Sequence, residues 1–326
     1  MAIKTNGDAV SHLHLGKRWI LLSHVKPDGD TIGSAAARFS IGRNMGKECV
    51  WGGRDAFPDV YSFIPHSDAY RRIDSLGEFS PSSTDVVVSL DTSTADRSVD
   101  DLLNAPFLLN IDHHYDNPCF GDVYHVDPSA SSTAEVLWFL LSSESGFDIT
   151  RDAALALYAG IATDSGSFSF SCTTPRTHVA VSRILEKGII PSDVHRALSA
   201  NRTLSGLRLW GIALSRIFVR ESTAVTWLVG SDFRESGADR SETENLVNQL
   251  LLLRGIGLAI LLIEEDSGVR ASIRSEGSVS AADIAHRFGG GGHPQAAGCT
   301  LPGTLESAER LLFSVIGDNG RLSASR

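Results

Sequence analysis

The feature that most constrains this chain is where its aspartates fall. WILLSHV (19–25) runs into His24-Val25-Lys26-Pro27-Asp28-Gly29-Asp30, VVVSL (86–90) runs into Asp91, and FLLNI (107–111) runs into Asp112-His113-His114. The apolar helical stretch ALYAGIAT (156–163) ends on Asp164. Short apolar runs closed by Pro and Gly read as buried strands. In an open α/β sheet the ligand crevice lies outside the carboxyl ends of the strands, so these acids are expected to meet on one side of the sheet. Taken singly, each has a plainer reading. An Asp after a strand is commonly a cap or turn residue, Asp30 sits where it can cap a helix beginning at Thr31, and a lone His24 reads as a core histidine. The repetition of one structural context is what points to a common site.

Between these acids the chain alternates. Residues 31–46 have helical spacing, residues 48–51 read as a further strand, and 134–141 and 153–161 read as helices preceded by capping residues. Strands separated by helices predict a largely parallel sheet flanked by helices on both faces, an α/β architecture. A chain of 326 residues is long enough for two domains. The pattern changes near Gly188 and Pro191, then runs polar and Arg-rich through Arg196, Arg202 and Arg208. The expected division is therefore 1–187, a connection at 188–208 that is partly helical, and a smaller α+β unit at 209–326. In the latter the reading is strands at 212–219, 224–229, 258–263 and 269–275, and helices at 242–253, 281–287 and 305–315.

Charge limits the partners. Lys plus Arg number 29 against 39 Asp plus Glu, a formal charge of −10. Long duplex DNA is held by neutralising many phosphates, which a body this acidic does poorly, while a short nucleotide needs only a few local cations. The first residues lack the apolar core of a signal peptide and no apolar run reaches the roughly 18 residues of a membrane span. Cys49, Cys119, Cys172 and Cys299 lie far apart with no C-x-x-C pair, so free thiols are expected and not a zinc-thiolate site. A cytoplasmic protein without a membrane partner fits these features.

Buried carboxylates gathered at one place repel and desolvate one another at a cost of several kcal/mol, which a cation offsets. Carboxylates with a minority of imidazoles suit Mn²⁺, with Mg²⁺, Co²⁺ or Zn²⁺ as alternatives. The number of candidate ligands is enough for two ions, which in two-metal sites stand roughly 3.5–4 Å apart, activate water and neutralise the charge of an in-line phosphoryl displacement. Phosphoester hydrolysis is the chemistry implied.

At these residues the sequence resembles the DHH phosphoesterase superfamily, named after its Asp-His-His motif. HVKPDGDTIGS (24–34), SLDTS (89–93), IDHHYDNPCFGD (111–122) with DPSASSTAE (127–135), and GIATDSGSFSF (160–170) match its motifs in order. RASIRSEG (270–277) and FGGGGHPQAAG (288–298) match the associated DHHA1 domain, so the resemblance covers nearly the whole chain. Length and domain pairing are those of the branch of bifunctional oligoribonucleases and pAp phosphatases. Carried over residue by residue, the resemblance implies one ion held by His24, Asp28 and Asp91, and a second held by Asp30, Asp91, His113 and Asp164, with Asp91 bridging. Asp112 is implied as an acceptor that orients an imidazole, and His114 as the group facing the scissile phosphate and its leaving oxygen.

The glycines 289–292 before His293 let backbone N–H groups approach an anion, and a neighbouring helix start would add the positive end of its dipole; the other reading is a flexible loop. Arg274 and Ser275 close a predicted strand nearby, and an Arg grips phosphate bidentately. In the family this region, here Arg274, Ser275, Gly290, Gly291, Gly292 and His293, binds the terminal phosphate or nucleotide. Arg97 and the hydroxyls of Ser131, Ser132 and Thr133 are further candidates for substrate contact, against readings as a solvated Arg and a helix cap. A substrate anchored both at the metals and at a second anion pocket would be RNA of about two to five nucleotides, cut to mononucleotides. Removal of the 3′-phosphate from 3′-phosphoadenosine 5′-phosphate (pAp) would use the same metals. The rivals are a phosphodiesterase of the c-di-AMP/pApA or pGpG kind, a manganese pyrophosphatase, which usually lacks the glycine-rich signature, and a non-catalytic nucleotide sensor. Relatives are often homodimers through the first domain.

Overall fold

The computed structural model describes residues 3–6, 9–143, 146–199, 202–276 and 279–322. The chain forms two compact units, Met1–Asn201 and Arg202–Arg326. The first contains β1 (Lys4–Thr5), α1 (Ala9–Leu13), β2 (Arg18–Leu22), α2 (Gly29–Asn44), β3 (Glu48–Gly53), β4 (Tyr70–Arg72), β5 (Asp85–Leu90), β6 (Leu108–Asp112), β7 (Val123–Val126), α3 (Thr133–Ser142), α4 (Arg151–Asp164), α5 (Pro175–Leu185) and α6 (Pro191–Ser199). Its seven strands run β1-β7-β6-β5-β2-β3-β4, with every pairing parallel except β1 with β7. All six residues of β5 are buried, as a central strand covered on both faces requires.

Alternation along β2 shows the two layers. Trp19 and Leu21 pack into the main core with α2, α3 and α4. Ile20 and Leu22 face a smaller core built with Ile73, Leu76, Phe79, Val99 and Leu102. That second face was expected to carry helices; short 3-10 turns at Leu76–Phe79, Ala95–Arg97 and Leu102–Asn104 cover it instead. The long apolar helices therefore lie on one side. Of these, α2 and α4 approach closely because a Cβ on Gly33 would stand 2.4 Å from the carbonyl oxygen of Ala156, and one on Gly29 2.4 Å from Thr163 Oγ1. The close approach brings the start of α2 beside the end of α4.

The second unit contains α7 (Leu204–Ser215), β8 (Phe218–Arg220), β9 (Thr223–Leu228), α8 (Gly230–Ser236), β10 (Leu258–Glu265), β11 (Gly268–Ser275), α9 (Ala281–His286), β12 (Gly291–His293), β13 (Ala296–Leu301) and α10 (Leu305–Leu322). Its sheet runs β12-β13-β11-β10-β9-β8 and is antiparallel except between β9 and β10. Two expectations are corrected here. Residues 212–215 belong to α7, whose buried Gly206, Leu209, Trp210 and Ala213 recur at helical spacing, so no strand starts before Phe218. The helix expected at 242–253 is two 3-10 turns, Arg240–Thr243 and Val247–Leu252, separated where Asn245 adopts a left-handed φ of 63°.

Candidate active site

The site is assembled from chain ends that the fold brings to one edge of the first sheet. Leaving β2, the backbone reaches His24. Asp28 then caps α2, accepting from the amides of Asp30 (3.1 Å) and Thr31 (3.2 Å). The cap is thus Asp28 and not Asp30, because α2 begins at Gly29, two residues earlier than its apolar spacing indicated. Asp91 follows β5 with a left-handed φ of 57°, a conformation that Asp tolerates better than most residues. Asp112 ends β6, His113 and His114 follow it, and Asp164 is the last residue of α4. An acid at a helix C-terminus faces the wrong end of the helix dipole.

Seven of these residues form three overlapping groups, each with ligand atoms within 4.8 Å of one another: His24, Asp28 and Asp91; Asp30, His113 and Asp164; and Asp91, His113 and His114. Asp91 is 2% exposed and stands at the centre. Its Oδ2 lies 3.4 Å from His24 Nε2, and its Oδ1 lies 3.6 Å from both His113 Nε2 and His114 Nδ1. His24 Nε2 is 3.7 Å from Asp28 Oδ2, and His113 Nε2 is 3.3 Å from Asp164 Oδ2. Such spacings are long for hydrogen bonds but close to the ~3.0–3.4 Å between two donors that share one cation at ~2.1 Å. The tautomers agree. His24 Nδ1 donates to the Val25 carbonyl at 2.8 Å, which turns the Nε2 lone pair toward the acids.

Electrostatics make the same demand. Burial first, then repulsion from Asp30, Asp28, Asp164 and Asp112, pushes the Asp91 carboxyl well above its ordinary range. Asp164 is pushed well up by burial and by Asp30, Asp28 and Asp112, and burial also raises Asp30. A divalent cation relieves all three, so the donor set fits a metal-dependent centre.

Asp112 behaves differently. Its Oδ1 accepts from His114 Nδ1 and from the His113 amide, both at 2.8 Å, and its Oδ2 from Asn117 Nδ2 at 2.6 Å. Burial opposes its charge, but these bonds outweigh it and hold the carboxyl below its usual value. Because Nδ1 of His114 is engaged, Nε2 is the nitrogen left for a ligand. Burial works against the charged imidazole, and Asp112 more than compensates, so His114 keeps its proton above the usual range. Arg97, half-buried in its 3-10 turn, is near enough for its charge to oppose that protonation.

In the second unit, Arg270, Ser272 and Arg274 project from one face of β11 into a groove of about 580 Å³ that Phe288, Gly289, Gly290, Gly291 and Thr300 also line. Burial lowers the pKa of the Arg274 guanidinium.

Models of two families match the chain: the DHH family N-terminal domain over residues 18–161 and the DHHA1 domain over residues 221–317. The bifunctional oligoribonuclease and PAP phosphatase NrnA of Thermus thermophilus is 34% identical over 90% of this chain and 88% of its own length. The chain belongs to the DHH–DHHA1 phosphoesterase family. The protein of the same name in Bacillus subtilis is 29% identical, over 90% of this chain and 92% of its own. An exopolyphosphatase-related protein from Bacteroides fragilis has the same fold, with a TM-score of 0.88, 26% identity and 98% coverage of both chains.

Within the DHH unit, two candidates for substrate contact lie elsewhere. Ser131 and Ser132 are fully buried. Ser131 Oγ donates to Glu135 Oε2 at 2.6 Å, and Ser132 caps α3 by accepting from the Glu135 amide at 3.0 Å. In the DHHA1 unit the two-residue period of a strand separates Arg274 from Ser275. The serine is buried on the opposite face, donating to the Val279 carbonyl at 2.6 Å. The glycines are neither a flexible loop nor at a helix start. The amides of Gly289 and Gly290 close the C-terminus of α9 on the carbonyls of His286 (3.1 Å) and Ala285 (2.9 Å), and Gly291 and Gly292 pair with β13. A Cβ on Gly290 would stand 2.2 Å from the Gly298 carbonyl oxygen, so close packing demands glycine there. The side chain of His293 lies outside the described residues. Two contributors were not singled out in the sequence. Asn117 ties Asp112 to Asn110 (2.9 Å) and to the Thr92 carbonyl (3.2 Å), and Arg176 bridges the buried Asp127 and Glu135. Asn117 sits inside the Asp-His-His motif stretch, which was a usable signal; Arg176 had none.

Proposed function

We propose that this chain is a divalent-metal-dependent phosphoesterase that hydrolyses short oligoribonucleotides to mononucleotides and pAp to AMP. The observation that carries this reading is the convergence on buried Asp91 of two imidazoles and three further carboxyls from β2, α2, β6 and α4. His24, Asp28 and Asp91 would hold one cation, and Asp30, Asp91, His113 and Asp164 the other, with Mn²⁺ the best match to that donor set. Bound there, divalent cations supply an activated water and neutralise charge on the phosphoryl group. The protein's own residues do the rest. Asp112 fixes the His114 tautomer, and Nε2 of His114 donates to the leaving oxygen. Arg97 offers a second positive charge beside it. Arg274, with Arg270 and the rim at Gly291, binds a substrate phosphate in the DHHA1 unit. The activities named for the Thermus and Bacillus relatives support the substrate class.

The test is product analysis with 5′- and 3′-labelled di- to decanucleotides and pAp, with Mn²⁺ or Mg²⁺ added, and with pApA, pGpG and c-di-AMP in parallel. Mononucleotides from the shortest RNAs and AMP from pAp are expected. Dinucleotides and pAp both intact after prolonged incubation would refute the proposal.

A further inference from the structure

The start of α3 is held in place by buried charge. Glu135, fully buried, accepts through Oε2 from the Ser131 amide (3.1 Å), the Ser131 hydroxyl (2.6 Å) and the Thr177 hydroxyl (2.8 Å). Arg176, from the first turn of α5, faces the other Glu135 oxygen at 3.5 Å and pairs with Asp127, which opens the turn that leads into α3. With 127–132 pinned in this way, the first residues of α3 reach the acid cluster. The amides of Thr133 and Ala134 donate to the two oxygens of Asp30 at 2.6 and 2.9 Å. Thr133, itself fully buried, places Oγ1 3.1 Å from Asp91 Oδ1. Nothing bulky fits behind this junction: a Cβ on Gly160 would stand 2.8 Å from Ala134 Cβ and 3.0 Å from Asp30 Oδ1.

A carboxylate that bridges two cations through both oxygens presents one to each, which the approach of Asp91 Oδ2 to His24 and of Oδ1 to His113 suits. A single-bonded Cβ–Cγ axis leaves that rotation free unless something fixes it. The Asp91 backbone turns left-handed just past β5, its amide donating to the Ile111 carbonyl of β6 at 3.0 Å. Among the described residues, the side-chain hydroxyl seen hydrogen-bonded to its carboxylate is that of Thr133. We propose that Thr133 is a positioning residue: its hydroxyl sets the Asp91 carboxylate so that Oδ2 faces the His24 cation and Oδ1 the His113 cation, while its amide holds Asp30. The inference rests on the reading of the acid cluster as a divalent-cation site. It departs from the expectation that this hydroxyl contacts substrate.

Calorimetric titration of the full-length protein with Mn²⁺ alone tests it, without reference to turnover. Thr133→Val keeps shape and amide and removes only the hydroxyl; Thr133→Ser keeps the hydroxyl. Outer-shell partners of metal ligands typically carry 10–100-fold in affinity, so the valine variant is expected to bind about tenfold more weakly and the serine variant within about twofold of wild type. Both should unfold at the wild-type midpoint in metal-free buffer. Valine binding as tightly as wild type, or serine losing as much as valine, overturns the inference. Should the valine variant not fold, Thr133→Ala takes its place with the same outcomes. A wild-type protein that binds no divalent cation would overturn the metal reading itself, and the first titration shows which has failed.

Discussion

In the DHH unit the chemistry is buried and braced: Asp91 is 2% exposed and Asp112 0%, Asp91 accepting from Thr133, 42 positions on, and Asp112 from His113, His114 and Asn117 within its own motif. In the DHHA1 unit, Arg270 and Arg274 stand along one strand in an open groove, and among the described residues Arg274 is seen donating to the adjacent Ile273 carbonyl at 3.1 Å. The contrast follows from charge. Like carboxylates can be kept together out of water only if each has partners and a cation completes the set. A guanidinium keeps its charge at any ordinary pH and needs no such scaffold to meet a phosphate. On the proposed function, the first unit would do the chemistry and the second would grip the substrate.

That division can be broken most sharply at Asp91. Asparagine suits its left-handed backbone and removes the charge, so Asp91→Asn is expected to lower turnover of a dinucleotide by at least about 1,000-fold. Thermal unfolding of the metal-free variant should be no easier than in wild type, because a repelled buried charge has gone; retained turnover would dismantle the assignment. Stripping cations with a chelator should silence the enzyme reversibly, with Mn²⁺ restoring it. At about 100 times its dissociation constant, Mn²⁺ should also stabilise the fold by about 2.7 kcal/mol, read from denaturant melts with and without the ion.

Smaller effects belong to the second unit. Arg274→Ala should raise KM for short RNA about tenfold and leave kcat within about threefold, with Mn²⁺ binding unchanged. A fall confined to kcat would erase the distinction between grip and chemistry. Gly290→Ala should cost about 1–3 kcal/mol of stability in urea titrations, through its clash with the Gly298 carbonyl and Cys299, and should not touch the cation site. If it is as stable as wild type, the close packing of β12 on β13 is not what the glycines provide.

The central strands β2, β5 and β6, and the acids that end them, were legible in the sequence because apolar runs closed by breakers encode both strand and end locally. So were strands β10 and β11, from their two apolar runs, though not their antiparallel pairing. Local pattern failed where two periods compete: α7 was partly read as a strand because its apolar residues crowd near the end of the helix. It also failed to separate Arg274 from Ser275, although the period of a strand would have done so.

What the sequence determined by itself is the inventory of ligand types and their placement at the ends of elements, which follows from side-chain chemistry and local periodicity. Only the tertiary structure decided that Asp28 caps α2 while Asp30 meets the start of α3, that Ser131 and Ser132 face inward, and that Thr133 meets Asp91. The contacts of Asp91 and Asp30 with the start of α3 join residues 42 to 104 positions apart. Their directions are set by how α2, α3 and α4 pack on a common sheet, and no local pattern carries that information.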